Sequence, residues 1–233
     1  MASSGDENQV APGDPVTVST RMIDAGTTIM QRRLPVKQMN CHVSTFAIYS
    51  GDMSRQIETH HYVHRVNDEF LQCAVYASDR SDAPLIGIEY VISDRLYENL
   101  PQDEQKLWHS HAYEVKSGSW AYPRLPEILA TPELKNIAKT YGKFWCTWQI
   151  DRGDKLPVGA PELMMSPQGV LRPELVKIRD EKYNISTDEL KHQRAEIAEP
   201  EWINPMADYW KQHGKCFVID IATVDMKSNE KFP

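Results

Sequence analysis

From residue 41 onward the chain alternates short apolar runs with polar breaks. CHVSTFAIYS, ETHHYVHRV, FLQCAVYAS and PLIGIEYVIS are rich in β-branched and aromatic residues, and Ser50-Gly51-Asp52, Asn67-Asp68 and Ser78-Asp79-Arg80-Ser81-Asp82 separate them. Such side chains fit a pleated surface and such breaks are turn chemistry, so the pattern predicts three or four strands. The connections are too short for crossover helices, which makes antiparallel hairpins the expected pairing. Residues 53–61 also fit a helix. Upstream, Met22, Ile23, Ile29 and Met30 recur at mixed three- and four-residue spacing and predict a helix within 16–33, ended by Pro35.

Residues 94–108 predict helix, capped by Ser93 or Asp94 and reopened at Pro101, and residues 111–122 return to extended character. Residues 126–141 carry two helix starts, at Pro126 and at Thr131-Pro132-Glu133, with Gly142 as a C-cap. Residues 143–151 alternate as a strand, 152–173 read as loop, and 186–199 as a helix with the capping box Ser186/Glu189. A short helix over 204–214 and an apolar, central strand over 215–226 complete the pattern. The expected architecture is one α+β domain over 16–226, a mainly antiparallel sheet with helices packed on one side, between mobile tails at 1–15 and 227–233.

Composition narrows the function classes. The 233 residues carry 26 Lys+Arg against 33 Asp+Glu, a formal net charge of −7, which argues against a nucleic-acid binder. The N-terminus lacks the basic and apolar regions of a secretory signal, and no apolar run approaches a membrane span. Cys41, Cys73, Cys146 and Cys216 form no C-x-x-C pair and read as reduced thiols of a cytoplasmic protein. Glycine-rich phosphate loops, the G-x-S-x-G elbow and H-E-x-x-H are all missing, so no nucleotide cofactor is expected.

Histidine is the exception to an ordinary composition, because six of the eight fall between residues 42 and 111. Glu58-Thr59-His60-His61-Tyr62-Val63-His64 is one cluster and Trp108-His109-Ser110-His111-Ala112-Tyr113-Glu114 the other. On a strand, Glu58, His60, Tyr62 and His64 share a face; on a helix, His60 pairs with His64 and His61 with Glu58. His109 and His111 converge only in extended conformation. Imidazoles with a carboxylate are the donor set of a divalent transition metal such as Zn, Fe or Cu. Without a metal, a His beside a carboxylate is an acid–base pair. Candidate ligands are His60, His61, His109 and His111. Glu58, Glu89 and Glu114 are candidate catalytic or ligating carboxylates, and His42, His64, Trp108, Trp120 and Tyr90 candidate pocket residues. Read singly, each histidine is an ordinary core or surface residue, and the six tryptophans are packing residues.

Ile48-Tyr49-Ser50-Gly51-Asp52-Met53-Ser54-Arg55-Gln56, Glu58-Thr59-His60-His61, Gln72-Cys73 and Leu85-Ile86-Gly87-Ile88-Glu89-Tyr90 resemble the signature of the oil body-associated proteins, known in plant seeds with relatives in fungi and bacteria. So do Leu107-Trp108-His109-Ser110-His111, Ala138-Lys139-Thr140-Tyr141-Gly142-Lys143, and Leu156-Pro157-Val158-Gly159 followed by Pro161, Leu163, Met164 and Met165. The resemblance covers about residues 20–170, with 171–226 as a C-terminal extension. It implies a domain that can associate with lipid droplets without a membrane hairpin, and it implies no particular reaction. The family's motifs include His42, His60, His61, Glu89, His109 and His111. Plant members carry a further His two residues before the signature Tyr, where this chain has Ala47.

Two functions are therefore expected. One is a non-redox lyase, isomerase or hydrolase that uses a divalent metal on a small organic or lipid-like substrate. The other is a non-catalytic droplet-associated or scaffolding protein with structural histidines.

Overall fold

The hydrophobic runs after residue 41 pair in sequence as antiparallel neighbours in the computed structural model, which describes residues 11–169 and 171–225. β1 (Cys41–Tyr49), β2 (Asp52–Asn67), β3 (Phe70–Tyr76) and β4 (Leu85–Ser93) form a meander. After the two-residue β5 (His109–Ser110) come β6 (Thr140–Cys146) and β7 (Glu162–Met165). β6 pairs with β4 on one side and with β7 and β5 on the other, and β7 returns to β1. The ring β1-β2-β3-β4-β6-β7 is thus closed. The expected antiparallel α+β domain is present, but as a six-stranded barrel rather than an open sheet with helices on one side. Closure follows from the strand β7, which the Pro- and Gly-rich composition of 152–173 disguised as loop.

Alternation along β2 divides its side chains between two environments. Ile57, Thr59, His61 and Val63 are buried, whereas Glu58, Tyr62 and His64 are partly exposed on the other face. The helical alternative for residues 53–61 is therefore replaced by strand. The interior holds Val43, Ala47, Tyr49, Val75, Phe144, Cys146 and Met164. Met164 and Met165 are buried, and three of the cysteines are buried or half-buried while Cys216 is exposed.

α1 (Val18–Met30), capped by Thr17, and α2 (Leu34–Lys37) bury none of their residues. Pro35 lies at the start of α2 rather than ending α1. α3 (Asp94–Glu98) and α4 (Gln102–Gln105) lead into β5, and α5 (Ala112–Ser117) follows it, so residues 112–117 are helical where extended chain was expected. α6 (Glu127–Ile137) is one helix through Pro132, and its Ala130, Leu134 and Ile137 join the barrel core. Gly142 is not its C-cap but lies inside β6. α7 (Pro173–Tyr183) packs on the outside of β2, and α8 (Thr187–Gln193) on α5. The Ser186 hydroxyl accepts from the Glu189 amide, as the capping box predicts. α9 (Tyr209–His213) ends at Gly214. Residues 215–225 form no strand, and Val218, Ile221 and Val224 are exposed. The closed ring leaves no long edge for another strand to join. Residues 1–10 and 226–233, which include most of both expected tails, lie outside the described residues.

Candidate metal centre

Two strands of the ring and the β5–α5 segment bring polar residues together in a largely apolar interior. β2 supplies His61, β4 supplies Glu89, β5 begins with His109, and His111 and Glu114 follow at the start of α5. All five are buried, and none exceeds 4% exposure. His61 Nδ1 lies 2.8 Å from Glu89 Oε2, while His109 Nε2 and His111 Nε2 lie 3.2 and 3.6 Å from Glu89 Oε1. Glu89 thus belongs to two donor groups, one with His109 and His111 and one with His61 and Cys73, each with its ligand atoms within 4.8 Å of one another.

Glycine makes this convergence possible. Gly142 of β6 is the register partner of His109 on one side and Val91 on the other. A Cβ there would sit 2.4 Å from Glu89 Oε1, 2.6 Å from His111 Nε2 and 2.8 Å from His109 Nε2. The missing side chain is the space into which the donors point.

Two threonines fix the imidazoles. The Thr140 hydroxyl donates to the Ile137 carbonyl at 2.7 Å, so toward His111 Nδ1, 2.8 Å away, it can only accept. His111 therefore carries a proton on Nδ1, and in the neutral imidazole the Nε2 lone pair faces Glu89. Thr59 repeats the arrangement: its hydroxyl donates to the Thr45 carbonyl, and His61 Nε2 lies 2.9 Å from it, leaving the Nδ1 lone pair facing Glu89. His61 Nδ1, Glu89 Oε2 and His111 Nε2 are buried and have no hydrogen-bond partner. Lone pairs aimed at a buried carboxylate are repulsive unless a cation lies between them.

With protons on the facing nitrogens instead, the imidazoles themselves supply the positive charge. Burial alone would raise the Glu89 carboxyl, yet His61, His109 and His111 hold it well below the ordinary carboxylate range. Burial pushes the His109 imidazole down, but Glu89, Glu114 and Asp208 outweigh it and raise it. Glu114 lies 3.9 Å from His109 Nε2 and accepts a hydrogen bond from the Thr45 hydroxyl. Asp208, pushed up to about 7 mainly by burial, accepts from the Ser110 amide. Two buried arginines hold the segment that carries Glu114. Arg194 donates to the Val115 and Trp120 carbonyls and pairs with Glu127, and Arg179 donates to the Gly118 and Ser119 carbonyls.

The structure brings together His61, His109, His111, Glu89 and Glu114, with the Trp120 ring 5.1 Å from that of His111. It does not bring in the others. His60 points to the outer face, where its Nδ1 lies 3.2 Å from His42 Nε2 and 3.3 Å from the Tyr183 hydroxyl, and its Nε2 3.4 Å from Glu58. Glu58 accepts from Ser44, Tyr183 donates to Asp79, and Tyr62 stacks on His42. His64 Nδ1 meets Gln72 on the same face. Trp108 and Tyr90 pack in a separate core with Tyr97 and Tyr141. Sequence reasoning passed over Cys73, Thr59, Thr140, Gly142 and Asp208. The alternation Thr59–His61 along one strand face is the signal that could have found the first threonine.

Residues 33–198 match a family described as a protein of unknown function, DUF1264. The chain is similar to oil body-associated protein 2C of Arabidopsis thaliana, 86% identical over 237 residues with both chains fully covered. It is also similar to protein 2A of that plant, 56% identical with 100% of this chain and 95% of the relative covered, and to protein 1B, 36% identical with 98% and 95% covered. The likeness extends through the C-terminal segment, beyond the limit at about residue 170 set by the motifs. No solved structure matches. The chain belongs to the oil body-associated protein family.

Proposed function

We propose that the chain is a metal-dependent enzyme of the non-redox lyase, isomerase or hydrolase type, with His61, Glu89, His109 and His111 as the ligands of a divalent transition metal. The observation that carries the reading is the convergence of buried donor atoms around Glu89, in two groups that share it, on the space left by Gly142, with His61 Nδ1, Glu89 Oε2 and His111 Nε2 lacking hydrogen-bond partners. Three imidazoles and one carboxylate suit Zn, Fe or Cu. Bound there, such an ion would act as a Lewis acid toward a substrate oxygen. Glu114, which lies beside His109 and accepts from Thr45, would take or return a proton. Glu89 is the ligand, and Glu58 belongs to the outer cluster. The substrate class this favours is a small organic or lipid-like molecule, because the surroundings are apolar.

Elemental analysis of tag-free protein tests the metal. About one equivalent, lost in His109→Ala, is expected. Less than about a tenth of an equivalent, with no loss in the variant, contradicts it and leaves protons as the intervening cations.

A second reading, association with a lipid-droplet surface, is favoured by α1 and by the names of the relatives. Val18, Met22 and Ile29 recur at helical spacing on one side of α1, and all are exposed. Liposome flotation should recover the full chain and lose it when residues 18–30 are removed. Full-length protein left entirely in the soluble fraction contradicts this reading. The two readings are compatible, since one concerns the barrel interior and the other the N-terminal helix.

A further inference from the structure

One end of the barrel is not filled. A cavity of about 230 Å³ lies between α6 and the interior faces of β1, β2 and β3. Its inner wall is Val43, Val63, Leu71, Trp120 and Ile137, all buried. Its rim is polar, with exposed Asn40 and Arg65 and half-buried Glu133, beside the exposed leucines Leu125 and Leu129.

The cavity adjoins the metal centre through two residues. Val43 is the register partner of His61, and Trp120 stands against His111. Charge sorts the ends. Arg65 and Glu133 pair with each other at the rim, and the Cys41 thiol on the wall is pushed up to about 11, chiefly by burial, and stays neutral. Among the described residues, the ionised side chains of the lining are Arg65 and Glu133, both at the rim, so the cavity favours an uncharged apolar segment and leaves a polar end at the rim. A dry apolar cavity of ~150 Å³ takes up benzene, so this larger one suits a chain of about eight carbons.

We infer that this cavity is a binding site for a medium-chain alkyl or acyl group, inserted tail first with its uncharged polar end among Asn40, Arg65 and Glu133. The assignment describes the apolar substrate of the functional reading above and rests on that reading only for calling the ligand a substrate. Of the residues named for the cavity, the sequence singles out Trp120 alone as a candidate pocket residue, and the relatives' names mark none.

The test is displacement of an uncharged fluorescent alkyl probe from the metal-stripped full chain by octanol, octanoate and ethanol. Octanol should displace the probe at least as well as octanoate, because Arg65 is already neutralised by Glu133, and ethanol should not. Ala130→Leu, which fills the cavity from α6, should weaken octanol at least tenfold. Ala130 is a core position, so Leu129→Glu, at the exposed rim, serves as a second variant and should weaken octanol at least fivefold. No displacement by octanol, a clear preference for octanoate, or unchanged affinity in both variants overturns the assignment. Metal content measured before stripping separates the two proposals. Metal present without octanol binding contradicts only the cavity site, and octanol binding without metal contradicts only the metal centre.

Discussion

Neighbouring histidines on one strand end in two opposite kinds of polar cluster. His61 turns into the barrel and His60 turns out, beneath α7, because strand side chains alternate. Both are buried to about the same degree, at 2% and 1% exposure, so burial does not separate a site from a scaffold. Completion of hydrogen bonds does. Outside, His60 meets His42, Tyr183 and Glu58, and these in turn meet Asp79 and Ser44. Inside, His61 Nδ1, Glu89 Oε2 and His111 Nε2 converge without hydrogen-bond partners. A closed network holds α7 to the barrel, whereas an open one asks for a cation.

The largest effect expected from breaking this contrast is at Gly142. Gly142→Ala adds a carbon among three donor atoms, and metal occupancy should fall below about a tenth of an equivalent, with ~1–3 kcal/mol lost from stability through overpacking. Glu89→Gln, nearly the same shape without the charge, should also abolish binding, as elemental analysis would show. Thr140→Val and Thr59→Val come next. Each removes the acceptor that sets an imidazole's proton, and metal titration should show roughly 10–100-fold weaker binding. Wild-type affinity in both variants would remove the orienting role of the threonines.

The outer cluster should respond to pH rather than to metal. Burial lowers the His60 imidazole from 6.5 to about 3 and lowers His42 as well, with Asp79 opposing and Lys182 adding to the effect. Below pH about 6.5 the unfolded chain takes up protons that the folded chain refuses, so stability is full above that pH and declines as pH falls toward about 3. Chemical denaturation at a series of pH values should show this decline, flattened in His60→Leu, with metal content within about twofold of wild type. His64→Ala, which loses one contact to Gln72 on a partly exposed face, should be the mildest, within ~0.5 kcal/mol.

Local pattern made much of this legible. The runs over 41–93 are the four-strand meander, and the Ser186 cap lies where Ser-x-x-Glu placed it. Barrel closure was not legible, because β7 is four residues inside a Pro-rich segment and its pairing with both β1 and β6 is long-range. Apolarity alone suggested a strand over 215–226, but a strand also needs an edge, and the ring supplies none. Motif reading found the chemical types of the inner site and could not decide which of His60 and His61 faces in, since that depends on register with β1 and β3. In sequence Gly142 resembles a helix end because a helical pattern precedes it, whereas its role comes from its two strand neighbours.

The central claim is that the inner histidines, and not the outer ones, hold a metal. Inductively coupled plasma mass spectrometry of tag-free wild type, His111→Ala and His60→Leu tests it directly. About one equivalent of a single transition metal in wild type and His60→Leu, and less than about a tenth in His111→Ala, is the predicted result. Equal metal content in all three proteins, or metal lost in His60→Leu and kept in His111→Ala, would contradict it.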